Sequence, residues 1–418
     1  MLPNKCARRI ALTLAGILAM GTGAAALELK ITYSPANFSG MYQELASRFM
    51  ERHPDVRIKL AGFPTYAALS ENTLRSAITG GLPDVSFEGI NFVRRYADRQ
   101  LAIPLNDRMT RDAEWQGQEL PVSIQDIGTV NGDIVAVPFA ISTMNVFYNA
   151  DLVRQAGGDP SNLPTNWDEI VGLAEQIDAL SGDISGMYFD YGAGSALAFQ
   201  SLVFSQGGSM MDESETQVAF ADQEGSWAMD LVRRFGEAGQ LNMSRDQARQ
   251  MFVAGKLGIY QNTSSNMGNF DQQISGTFEY VVGPVPVVEG GRSPAAGNAM
   301  VVFSSEPEQQ EAAWDWVKFA TSPEAQSIMA MMTGYVPVNA RAADTPQMRA
   351  FYETHPNHAV PLSQIDTLTA WYAFPGENGE RVAEDIVDAM ERVVNLRQSP
   401  DDALNEVAAR ARRLLGLD

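Results

Sequence analysis

The chain is expected to be an α/β protein built as two globular units, and three observations carry that expectation. A strand, helix, strand, helix, strand order opens the mature sequence. The length suits two units, and the 45 % apolar content is that of a folded protein with sizeable cores.

The mature sequence begins after a leader. Lys5, Arg8 and Arg9 precede an apolar run over residues 10–20, and Ala24, Ala25 and Ala26 supply an A-x-A cleavage pattern. This predicts a signal peptide over residues 1–26. The run is about half the ~20 residues a membrane helix requires, so a chain free of the membrane is expected. Cys6, the only cysteine, lies ahead of the apolar run rather than just after it, which does not fit a lipid-anchored leader. A mature chain without thiols suits an oxidising compartment, and a free exported protein points to the periplasm. Cutting after Ala26 leaves 392 of the 418 residues. Loss of three of the 30 basic residues leaves 27 against 51 acidic ones, a net charge of −24. That charge argues against nucleic acid or an anionic lipid surface as a partner.

Leu27 to Tyr33 alternates apolar and polar residues as a strand does, and Tyr42, Leu45, Ala46 and Phe49 then recur at helical spacing until His53-Pro54. Val56, Ile58 and Leu60 alternate as a second strand. Tyr66, Leu69, Thr73 and Ala77 mark a helix ended by Gly80-Gly81, and Asp84 to Phe87 supplies a third strand. The order is that of a parallel sheet, whose ligands gather beyond the C-terminal ends of the strands. Further strands are expected over residues 135–141 and 146–148. Helices are expected to open at Thr165, read as an N-cap, and at Ser322-Pro323.

Eight motifs in order resemble the family 1 extracellular solute-binding proteins of ABC transporters, which include maltose-binding and glycerol-3-phosphate-binding proteins. They are Gly81-Leu82-Pro83-Asp84-Val85, Asn131 to Pro138, Phe147-Tyr148-Asn149 with Asp151-Leu152, and Pro164 to Glu169. Then follow Phe252 to Lys256, Gly297-Asn298 before Met300 to Phe303, Ala312-Ala313-Trp314 with Phe319, and Thr333 to Val338. Singly each is a turn, a cap or a core helix; together they span the mature chain. The resemblance implies an α/β, two-lobed periplasmic binding protein of type II, the Venus-flytrap form, with three interlobe crossings. By analogy one lobe holds residues 27–138 and 281–303 and the other 143–276 and 306–418, with hinges at 139–142, 277–280 and 304–305. Phe351-Tyr352-Glu353 is similar to an element of the glycerol-3-phosphate-binding branch.

A sugar calls for flat apolar faces and a ring of hydrogen-bonding groups. The loops after the first three strands offer Tyr33, Ser34 and Asn37, then Tyr66, then Glu88 and Asn91. Gln261, Asn262, Thr263 and Ser264 follow an expected strand over residues 257–260. The resemblance adds Gly297, Asn298 and Tyr335. Trp371 or Tyr372, in an aromatic cluster with no amphipathic helix to explain it, is the candidate stacking residue, whereas Trp167, Trp314 and Trp316 read as core. A phosphate would call for a guanidinium, and Arg94, Arg292 and Arg381 are the candidates.

The function this implies is capture of a sugar, oligosaccharide or polyol derivative by a monomer and its delivery to the transmembrane subunits of an ABC permease. An anionic polyol ligand and presentation to a chemoreceptor remain as alternatives. A carbohydrate-active enzyme is the weakest reading. No cofactor or metal is expected: His355 and His358, read as a surface pair, lack the further ligands of a zinc site, and neither a G-x-S-x-G elbow nor a P-loop occurs.

Overall fold

A computed structural model describes residues 26–118, 120–180, 182–192 and 194–417. All of the expected signal peptide except Ala26 lies outside the described residues. The strands that organise the fold are β1 (Leu27–Tyr33), β2 (Val56–Gly62), β3 (Val85–Gly89), β4 (Val137–Ser142), β5 (Met144–Asn149), β6 (Ser185–Phe189), β7 (Leu257–Thr263), β8 (Tyr280–Pro284), β9 (Ala296–Val302) and β10 (Val336–Pro337). They form two sheets, in the orders β10-β4-β9-β3-β1-β2 and β8-β5-β7-β6, each the centre of one lobe.

The first three strands arise as their alternation predicts. β1 runs parallel to both β2 and β3, and the intervening helices are held by local chemistry. Thr65 caps the helix Tyr66–Thr79 by accepting from the Ala68 N–H, and Gly80 ends it in the left-handed conformation. β9 then enters antiparallel between β3 and β4. The C-terminal ends of β1, β2, β3 and β4 and the start of β9 therefore share one edge, which faces the second sheet.

β4 belongs to the first sheet as far as Ser142 and β5 to the second from Met144, so the first crossing is at Thr143 and not spread over 139–142. The lobe division implied by resemblance fails at two further places. Tyr280–Pro284 pairs antiparallel with β5 throughout, placing it in the second lobe; the second crossing lies between β8 and β9. No crossing occurs at 304–305. The helices Pro307–Ala320 and Pro323–Thr333 pack on the first lobe, where the fully buried Trp316 meets Phe49 and Phe87 at centroid distances of 5.3 and 6.3 Å. β10 then joins the first sheet beside β4, and the third crossing follows it. The rest of the chain reaches the second lobe, where Gln364 bonds Asn145 and the helices Gly379–Val394 and Pro400–Leu415 pack on Gln223–Glu237.

One cap also shifts. Asn166, not Thr165, accepts the Glu169 N–H at 2.9 Å and opens Trp167–Asp178, while the Thr165 N–H donates to the Glu169 carboxylate at 3.0 Å. Ser322 caps the helix after it as expected, with Pro323 at its first position.

Candidate functional site

Between the sheets lies a cavity of about 410 Å³ whose wall comes from both lobes. The first lobe contributes Ser34, Tyr66, Asn91, Phe92, Gly297 and Tyr335; the second contributes Asp190, Ser195, Arg245, Asn262, Trp371 and Glu380. The size falls within that of small-molecule sites, and so does the mixture of aromatic and hydrogen-bonding walls.

On the first-lobe side two phenols meet: the Tyr66 and Tyr335 hydroxyls are 3.4 Å apart, and the Asn298 amide donates to the Tyr66 hydroxyl at 3.2 Å. Burial, the largest cause in each, raises the pKa of both, so they act as neutral hydroxyls. On the second-lobe side Asp190 directly follows β6. Its Oδ2 accepts from the Arg245 Nε at 2.6 Å and from the Asn262 amide at 2.8 Å, while Oδ1 is buried without a partner. Burial raises the Asp190 pKa, and Arg245 and Asn262 oppose that rise. Arg245 stands at the first position of Arg245–Val253, where a Ser244–Gln247 capping box fixes the helix start. The Trp371 indole is buried against the wall and donates to the Ser195 carbonyl at 3.2 Å.

The sequence profile of the bacterial extracellular solute-binding proteins matches residues 44–359. The chain belongs to that family. A curated relative is the sn-glycerol-3-phosphate-binding periplasmic protein UgpB of Escherichia coli (strain K12), 23 % identical over 430 residues that cover 96 % of this chain and 95 % of UgpB. Among solved structures, UgpB from Mycobacterium tuberculosis in complex with glycerophosphocholine superposes with a TM-score of 0.81 at 20 % identity, covering 94 % of this chain and 99 % of that one. The sugar-binding protein MalE from Xanthomonas citri gives 0.79 at 20 %, with 93 % and 97 % covered. These likenesses establish the two-lobed α/β binding-protein fold. Among the described residues no helix is long and apolar enough to cross a membrane.

In this solute-binding protein eight of the residues singled out from the sequence meet on the cavity wall: Ser34, Tyr66, Asn91, Asn262, Thr263, Gly297, Tyr335 and Trp371. The others lie outside it. Tyr33 stacks on Tyr42 at 4.1 Å in the core, and Asn37 is exposed on a short 3-10 turn. Gln261 and Asn262 are strand residues, since β7 continues to Thr263, and alternation turns neighbours to opposite faces; Gln261 accepts the Asp190 N–H at 3.4 Å. Ser264 is buried beside Thr143 at the first crossing. Asn298 sits behind the tyrosines. Tyr372 turns away from the cavity, and its hydroxyl donates to Glu215 at 2.8 Å.

The three arginines named as phosphate candidates are otherwise engaged: Arg94 is bonded twice to Glu215, Arg381 pairs with Glu384 and Asp385, and Arg292 lies over the Phe204 ring. His358 is not a surface residue; it is buried with Nε2 2.7 Å from Asp271. Asp190, Ser195, Arg245 and Glu380 were missed. An acid directly after the apolar run Met187-Tyr188-Phe189 was a usable signal for Asp190, because the strand-end reasoning that selects Ser34 applies there too.

Glu88 is fully buried behind the wall, where its Oε1 accepts from the Thr73 and Ser86 hydroxyls, each at 2.7 Å. Burial, the largest cause, raises its pKa against those hydrogen bonds. A carboxyl raised on folding contributes stability that is complete below its unfolded pKa and is lost as pH rises through the folded value. Glu88→Gln keeps an oxygen for both hydroxyls and removes the titration. Its melting temperature relative to wild type is expected to be about 2–4 °C higher at pH 8 than at pH 5, as read by thermal melts of both proteins at each pH.

Proposed function

We propose that this protein is the periplasmic capture component of an ABC importer, exported by its leader, that holds a neutral carbohydrate between its lobes and hands it to the permease subunits. Binding, with no bond made or broken, performs the function, and the protein acts as a monomer. The observation that supports a neutral ligand is the charge of the cavity wall. Among its described residues Arg245 is the single cation, and it is bonded to Asp190, while Glu380 adds a second carboxylate. A phosphate entering there meets two carboxylates and one guanidinium already engaged. Hydroxyls suit the same wall, since Asp190 Oδ1 and Asn91 Oδ1 lack donors.

The second reading, a glycerol-phosphate ligand, draws on the E. coli relative and on the presence of Arg245. Thermal melts with neutral mono- and oligosaccharides, polyols, sn-glycerol 3-phosphate and glycerophosphocholine separate the two. A ligand of the folded state at a hundred times its Kd stabilises by about 2.7 kcal/mol, so one neutral sugar class is expected to raise the melting temperature clearly. A shift with the phosphates alone selects the second reading. Turnover of any of these compounds by the purified protein removes both.

A further inference from the structure

A second cavity, of about 420 Å³, adjoins the first. Asn91, Ser195 and Glu380 line both, so the same three side chains form the divider between them. They are joined in a relay from one lobe to the other: the Asn91 amide donates to Ser195 Oγ at 2.8 Å, and the Ser195 hydroxyl donates to Glu380 Oε1 at 2.6 Å. Asn91 Oδ1 is buried with no partner.

The divider is built with unusual backbone. Ser195 and Ala196 have φ of 49° and 57°, a consecutive pair of non-glycine residues in the left-handed region. The Ser195 carbonyl accepts both the Trp371 indole N–H and the Gln200 amide, each at 3.2 Å. Glu380 is set in the first turn of Gly379–Val394, where a side chain at Gly379 would put its Cβ 2.2 Å from the Phe374 carbonyl oxygen.

The second cavity has its own aromatic rings, Tyr372 and Phe374, as the first has Trp371. Its wall carries Arg94, Arg95 and Arg99 against Asp98, Glu377 and Glu380, a balanced set. The Arg94–Glu215 pair adds a bond between the lobes beside it.

We propose that the cleft holds two carbohydrate subsites divided by Asn91, Ser195 and Glu380, and that the ligand therefore has at least two rings. This rests on the carbohydrate reading above. The ligand seats by taking over the hydrogen bonds that these three groups make to one another: its hydroxyls donate to Asn91 Oδ1 and to the Glu380 carboxylate, and its oxygens accept from the Asn91 amide and the Ser195 hydroxyl. An exchange of this kind satisfies the orphaned oxygen and leaves no polar group unpaired.

The test is calorimetry on the full mature chain with matched series: glucose, maltose and maltotriose; galactose and melibiose; xylose and xylobiose. In the series that binds, a di- or trisaccharide is expected to bind at least about ten-fold tighter than its monosaccharide. Glu380→Gln and Ser195→Gly are expected to lower that preference several-fold. Glycine accepts a φ of 49° without strain, so Ser195→Gly removes the hydroxyl without threatening the fold, and its unliganded melting temperature verifies this. A monosaccharide that binds as tightly as its oligomers overturns the proposal, as does an equal loss for short and long sugars in both variants. If no sugar binds, the carbohydrate reading falls and this proposal with it. A monosaccharide binding alone leaves the first reading standing and removes only the second subsite.

Discussion

Trp371→Ala is expected to weaken ligand binding by about thirty-fold or more. Trp371 is the one of the six tryptophans that lines the cavity between the lobes. A large aromatic face at the centre of a desolvated site commonly contributes 2 kcal/mol or more on truncation, roughly thirty-fold in affinity. The alanine variant also leaves a void, because the indole is 8 % exposed and deleting a buried Trp side chain costs about 3–5 kcal/mol of stability. Trp371→Phe separates the two effects. It keeps a ring on the wall and loses only the bond to the Ser195 carbonyl, and so is expected to retain most of the stability and part of the affinity. Titrations of both variants, with melting temperatures alongside, decide the matter. Ligand-induced change in tryptophan fluorescence is expected to be largely lost in Trp371→Phe, since the other five indoles lie away from the cavity. Unchanged affinity in both variants contradicts a stacking role.

Gly297→Ala is expected to damage both the fold and the site. Gly297 has φ of +115°, and a Cβ built there would lie 1.9 Å from the Ala140 carbonyl oxygen. That oxygen belongs to β4, the neighbour of β9, and Gly297 pairs with Ile141 next to the irregularity between Asn298 and Ala299. Relief therefore demands that two paired strands separate at the edge bearing Asn298 and the cavity wall. Overpacking of this kind costs about 1–3 kcal/mol and the backbone conformation about 1–3 more. A total loss of about 2–6 kcal/mol in urea unfolding is expected, with ligand affinity reduced in whatever remains folded. Gly276→Ala is the reference: its φ is +75°, but its Cβ would meet nothing within 4 Å, so only the conformational cost of about 1–2 kcal/mol applies. Equal losses in the two variants contradict the steric argument.

Local chemistry made the first lobe legible. β1, β2 and β3 and the two helices between them follow the expected residues closely, because alternation and helical spacing report burial of one face without reference to distant contacts. Strand order in a parallel unit then directs attention to the strand ends, and Ser34, Tyr66 and Asn91 are indeed on the cavity wall. The same reasoning overreached where a neighbouring residue faces the other way. Tyr33 precedes Ser34 but stacks in the core, and Gln261 precedes Asn262 but turns to the opposite side of β7. A one-residue change reverses the face in a strand, and β7 runs to Thr263, three residues beyond the expected strand over 257–260.

What the sequence alone determined about this protein is its α/β class, its two-lobed family, the surplus of acidic over basic residues, and eight of the 22 residues of the cavity wall. These follow from periodicity, composition and ordered motifs, which are properties of short stretches of chain. Only the tertiary structure decided that Tyr280–Pro284 belongs to the second sheet and that the helices from Pro307 to Thr333 belong to the first lobe. It alone brought Asp190 to Arg245, Asn91 to Ser195 and Ser195 to Glu380, pairs 55, 104 and 185 positions apart. The physical reason is the same throughout. Apolar spacing shows that a face is buried but not against what, and a charge or an amide finds its partner only when distant stretches of chain pack together, within a lobe for Asp190 and Arg245 and across the lobes for Asn91 and Ser195.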